Sequence, residues 1–208
     1  MIYMIRNLYL LLFLTAFSSC SSLGVTRSFS YLDGYFRGFE SDQISKTDYQ
    51  ESEYSFANVK IGRGPAAKVI LAYVREDVFE WRSADGIVLF TQNGQIIKTQ
   101  GLPHDISIES IPFKSDDTYK VNTLSTFKNP PLVQALTLNE IFSLPDSFLL
   151  NRADGAYEAS VYKVKKNIPS IKWNSKNRYY LDKQMRVIYS EQFLHPFMPI
   201  IRIEYYYK

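Results

Sequence analysis

Residues 87–99 read Ile-Val-Leu-Phe-Thr-Gln-Asn-Gly-Gln-Ile-Ile-Lys-Thr. Two apolar, β-branched and aromatic runs flank Asn93-Gly94. Both residues of that dipeptide tolerate positive φ, which the tight turn between two antiparallel strands requires. The spacing predicts a hairpin with strands over 87–91 and 95–99.

The same strand signals continue on both sides. Upstream, Val78 to Ser83 alternates, with Phe79 and Trp81 on one face and Glu80 and Arg82 on the other, and Asp85-Gly86 supplies a turn. Further back, Lys68 to Val74 is apolar enough for a well-buried strand, and Glu76-Asp77 marks the turn after it. Tyr54, Phe56, Val59 and Ile61 form a strand that ends at the Gly62 to Pro65 turn. Ser41 to Ser52 predicts a short helix, with Ser41 as its N-cap and Asp42 in its first turn.

Downstream, strands are expected over Ile106–Ile111 and Thr118–Phe127, around a polar loop at 115–118. Pro130-Pro131 breaks the chain, and Leu132 to Phe142 suits a short helical turn. Ala156 to Lys165 alternates, but its apolar face of Ala159 and Val161 carries Lys163 inward with it, for which the pattern offers no reason. Arg178–Leu181 and Arg186–Phe193 flank a turn at 182–184, and Ile200 to Tyr207 is a terminal strand. Strands joined by short turns pair antiparallel. No βα alternation points to a parallel sheet. The expected fold is mainly β: a curved antiparallel sheet or open β-barrel or sandwich of about eight to ten strands, with one or two short helices.

Composition fits this. The 208 residues are 46% hydrophobic and include 16 Tyr and 14 Phe, enough for a real core. The net charge is only +3 with no long basic run, so nothing favours a nucleic-acid partner. There is one cysteine, Cys20, so no internal disulfide can form.

The position of Cys20 explains its presence. Arg6 and the amino terminus supply positive charge, Leu8 to Phe17 is apolar except for Thr15, and small residues follow. The apolar run is too short to span a bilayer, which takes about 20 residues. Phe17-Ser18-Ser19-Cys20 resembles the lipobox of bacterial lipoproteins, with Phe where Leu is usual. The resemblance implies that residues 1–19 are a cleaved signal peptide and that Cys20 is lipidated. Residues 20–30 then form a tether and 31–208 one β-rich domain. Ser21 rather than Asp after the cysteine implies the outer membrane.

Ile61-Gly62-Arg63-Gly64-Pro65, Val69-Ile70-Leu71-Ala72, Trp81-Arg82-Ser83-Ala84-Asp85-Gly86-Ile87, and Gly94 followed by Thr99-Gln100-Gly101-Leu102-Pro103 occur in that order. The series resembles the YjbF/GfcB family of lipoproteins. Asn177-Arg178-Tyr179-Tyr180-Leu181-Asp182, then Val187 and Ser190-Glu191-Gln192, is similar to its closing motif. Tyr180 replaces an expected Trp there, and Gln184-Met185 an expected Thr-Gly turn. The resemblance implies a non-enzymatic accessory role in exopolysaccharide or capsule assembly or export. It also implies a location on the periplasmic face of the outer membrane, with partners among the polysaccharide-export or outer-membrane barrel proteins of the same operon. It brings no catalytic residues and no cofactor.

The residues themselves offer few sites. Trp81, Arg82 and Asp85 would suit a polysaccharide or partner surface, an aromatic face stacking on sugar C–H groups beside two charges. The simpler reading is a core Trp followed by a tight turn. Asp85, Asp105, Glu109 and Asp182 are carboxylates of the type a glycosidase needs, but no spacing pairs them. His104 and His195 match no metal motif and suit ordinary loops. Lys163, Lys165 and Lys166 form a small basic cluster that suits a solvated face or a guarded strand edge. The alternative function is a lipid- or lipoprotein-handling carrier, which calls for a large apolar cavity, whereas a filled core with an exposed aromatic and Arg groove favours polymer binding.

Overall fold

In the computed structural model, Asn93 and Gly94 have φ of 48° and 74°, so the predicted turn forms with both central residues in the left-handed region. Gly94 is required twice over, because a Cβ there would collide with Val187. The structure describes residues 43–110, 120–128 and 132–208. The leader, Cys20, the tether, Ser41, the 115–118 loop and Pro130-Pro131 lie outside them.

From this hairpin the sheet grows strand by strand. The twelve described strands are β1 (Phe56–Ile61), β2 (Ala66–Arg75), β3 (Val78–Ser83), β4 (Val88–Gln92), β5 (Gln95–Gln100) and β6 (Ile106–Ser110). They continue as β7 (Lys120–Phe127), β8 (Val133–Arg152), β9 (Gly155–Ile168), β10 (Trp173–Leu181), β11 (Val187–Gln192) and β12 (Ile201–Tyr206). Each pairs antiparallel with the next, and β1 pairs with β12 from Phe56↔Tyr206 to Ile61↔Ile201. The sheet is therefore a closed barrel, where the sequence suggested a curved sheet or an open barrel of fewer strands. Closure removes both exposed edges.

Two local expectations are corrected. Leu132 to Phe142 is not a helical turn but lies largely within β8, where Ala135, Thr137 and Asn139 alternate inward against β7. The helix, α1, spans Lys46–Glu51, and its cap is Ser45 rather than Ser41, with Asp48 completing a capping box. A single 3₁₀ turn, Pro169–Ile171, joins β9 to β10.

The interior is filled unevenly. On the β1–β5 side Trp81, 1% exposed, donates its indole N–H to Thr91 Oγ1 at 2.9 Å and packs on Tyr205 with ring centroids 5.4 Å apart. Gln192 reaches across to the hairpin: its Nε2 donates to Gly94 O at 2.9 Å, and its Oε1 accepts from Ile96 N–H at 3.0 Å. Tyr205 Oη also donates to Gly94 O, at 3.0 Å. These bonds tie β4 and β5 to β11 and β12 across the barrel. The β7–β10 side has instead an inward row of polar residues.

Candidate functional site

That polar row follows from alternation. Val164 and Ile168 of β9 pack on the core cluster, so Lys166 between them faces inward too. The inward lysine is thus Lys166, while Lys163 and Lys165 point to the other face. Lys165 lies over the Phe142 ring at 4.6 Å. Register places Lys166 opposite Asn139 of β8 and Ser175 of β10. The three side chains form one line across three neighbouring strands.

The line is under-satisfied. Asn139 Nδ2 donates to Val121 O at 2.9 Å and Thr123 Oγ1 at 3.1 Å, but its Oδ1 has no partner among the described residues. Ser175 Oγ is buried without a partner among the described residues. Lys166 is 5% exposed and has no side-chain hydrogen bond or ion pair among the described residues. Burial alone pushes its ammonium down to about 8.

Beside this row the wall opens. β11 pairs with β10 only from Arg178↔Glu191 onward, so Trp173 to Asn177 have no strand partner on that side. The segment after β11 crosses the gap, and Phe193 N–H donates to Asn177 Oδ1 at 2.8 Å. A half-open cavity of about 850 Å³ lies here. Lys166, Ser175, Trp173, His195, Phe193 and Met198 are among its lining. Its size is that of a small-molecule pocket, and its lining mixes aromatic faces with polar groups.

The two histidines meet at this rim, which their separation in sequence did not reveal. Their rings stack with centroids 4.6 Å apart, and Phe127 stands edge-on to His195 at 5.1 Å. His195 Nδ1 accepts from Phe197 N–H at 3.0 Å. Burial first, and His104 second, hold the His195 imidazole below its ordinary pKa. His104 Nδ1 is buried without a partner among the described residues.

Trp81, Arg82 and Asp85 do not share a surface. Trp81 is core, so its face is closed to any sugar. Arg82 points outward into a groove of about 630 Å³ on β2–β4, over the Tyr73 ring at 5.6 Å and bonded to Glu80 Oε1 at 2.6 Å. Asp85 accepts from Ser83 Oγ and borders a separate depression of about 260 Å³ beside Pro65 and Leu102.

Two of the candidate carboxylates are occupied by turns. Asp105 accepts from Thr99 Oγ1 at 2.8 Å, Gly101 N–H at 3.0 Å and Leu102 N–H at 3.1 Å. Asp182 accepts from the backbone N–H of Gln184 and Arg186, each at 2.9 Å, and from Arg186 Nε. Among the described residues no three His, Cys, Asp or Glu side chains gather as a metal site.

The barrel is similar to the crystal structure of a hypothetical lipoprotein, YmcC, from Escherichia coli (K12). The TM-score is 0.67 at 17% identity, over 90% of this chain and 98% of that one. At that identity the likeness speaks for the fold. Comparison with curated proteins gives no match. The family model for YjbF, the group 4 capsule polysaccharide lipoprotein gfcB, matches residues 29–206, from before α1 to the end of β12. On that match, which covers every described strand, the chain belongs to the YjbF family of group 4 capsule polysaccharide lipoproteins.

Proposed function

We propose that the protein is a non-enzymatic accessory factor in capsule or exopolysaccharide assembly or export. Residues 1–19 are its signal peptide, Cys20 carries its lipid, residues 20–30 are its tether and 31–208 its one domain. It sits at the periplasmic face of the outer membrane and meets polymer or export proteins there. The observation that carries this reading is the half-open, mixed polar and aromatic cavity beside the unpaired half of β10. Such a lining suits a hydroxyl-rich ligand. It weighs against the carrier alternative, because an acyl chain favours a dry apolar cavity and here Lys166 and Ser175 would face it unpaired. The occupied carboxylates Asp105 and Asp182 weigh against a hydrolase.

Anchoring raises the local concentration of the domain near a membrane partner without any new contact. Cys20→Ala is therefore expected to move the protein from the membrane to the soluble fraction and to lower polymer output. Membrane fractionation and quantified surface polysaccharide measure both. Normal output from a fully soluble variant refutes the role.

A further inference from the structure

The buried lysine calls for a counter-charge. An ammonium mostly withdrawn from water and without a partner is disfavoured, and a bound anion would compensate it. Lys166 is such a group, 5% exposed and lining the cavity. Ser175, next to it in the register and lining the same cavity, has an unpartnered hydroxyl that can donate to the same oxyanion. Asn139, on the other side of Lys166 in the register, lies behind the cavity wall and supplies no counter-charge to the ammonium. Trp173 and Phe193 add aromatic surface. Lys165, Lys176 and Glu140 also border the opening, and Lys166 is the one charged side chain there that is buried. A buried cation, a hydroxyl donor and aromatic walls together match a pyranose that bears one negative charge.

We propose that the cavity binds the carboxylate of an acidic sugar, a uronate unit of the polymer, with Lys166 as its counter-charge and Ser175 as second donor. This rests on the reading of the protein as a polysaccharide factor and names the chemistry that its cavity selects. The carboxylate replaces the missing partner of Lys166, and the ring lies against the aromatic wall. A neutral sugar leaves the ammonium uncompensated and binds weakly. A phosphate offers the same charge on a tetrahedral group, and its source would be a phosphorylated or lipid-linked sugar.

The test uses the full-length lipoprotein in detergent and calorimetric titration with three probes: a glucuronate-containing tetrasaccharide, its carboxyl-reduced neutral counterpart, and inorganic phosphate. The uronate is expected to bind, the neutral sugar to bind at least about tenfold more weakly, and phosphate to compete poorly. Lys166→Met should weaken uronate binding about tenfold or more, the loss of one charge-assisted contact. Lys163→Met, on the opposite face of the same strand, should leave it unchanged. In the wild type, bound uronate should slow acylation of the Lys166 amine as read by mass spectrometry, a result that needs no variant to fold. Equal binding of uronate and neutral sugar, unchanged binding by Lys166→Met, unprotected Lys166, or phosphate binding in preference to uronate each overturns the proposal. Such a failure leaves the accessory role standing, because that role is tested separately by polymer output from Cys20→Ala.

Discussion

Lys166 sets a pH signature that belongs to one residue. Its ammonium falls from an ordinary 10.5 to about 8 because burial removes it from water. Between those values the unfolded chain holds a proton that the folded protein has shed, so stability rises with pH across that window, by up to about 3 kcal/mol. Above pH 10 the opposite term enters. Burial raises the phenols of Tyr179, Tyr205 and Tyr207, so the unfolded tyrosines ionise first and stability falls again. Urea unfolding from pH 7 to 11 should therefore rise and then fall in the wild type, and Lys166→Met should lose the rising limb. The residue was half-legible. The sequence placed an inward lysine in this strand but counted alternation from Ala159 and Val161, which are buried outside the lumen cluster. Counting back from Ile168 gives the right parity. Trp81 and Arg82 show the same limit: alternation named their opposite faces, and only the closed ring revealed that one of those faces is sealed.

The β8–β9 hairpin is the element that departs furthest from a plain barrel wall. Its strands outrun their neighbours, and its tip is fastened back by Arg152, whose side chain is 3% exposed. The guanidinium donates to the carbonyls of Ile188 and Tyr205, pairs with Asp154 at 3.1 Å, and lies 4.4 Å from the centroid of the Tyr206 ring. Phe56 stacks on the same ring at 4.8 Å, and Tyr49 of α1 packs on it at 5.9 Å. Arg152→Met leaves the buried Asp154 carboxylate with the Tyr157 hydroxyl as its remaining side-chain donor and takes the guanidinium away from two carbonyls. It should cost about 3–5 kcal/mol in chemical denaturation, and a further Asp154→Ala should restore part of the loss. None of this was legible, because the partners of Arg152 lie far along the chain. The β4–β5 hairpin was legible in full, since its turn chemistry is local. The 132–142 segment was misjudged because it lacks a local turn signal, and its strand character comes from register with β7.

At the scale of the molecule, the ring has a second weak place besides the half-paired β10. β5 and β6 share a single register pair, Lys98↔Ser107. The gap is bridged by Asp105 and by Ile106 N–H donating to Thr99 Oγ1 at 3.0 Å. Amides of β6 should therefore exchange with deuterium sooner than those of β1 and β12, which share six register pairs. Mass-spectrometric exchange reads this directly, and equal protection would contradict it. The strands were legible from alternation and turns, and the closure was not, because the pairing of β1 with β12 joins segments too remote for any local signal.

That remote pairing also has a consequence for biogenesis. While an emerging polypeptide still lacks Ile201–Tyr206, the border of Phe56–Ile61 has no mate, and neither does the newest strand. Both ends of the growing meander are then open to pairing with neighbouring molecules. A holding chaperone would shield those borders until the circle shuts, and any fragment ending before the final strand should aggregate instead of folding.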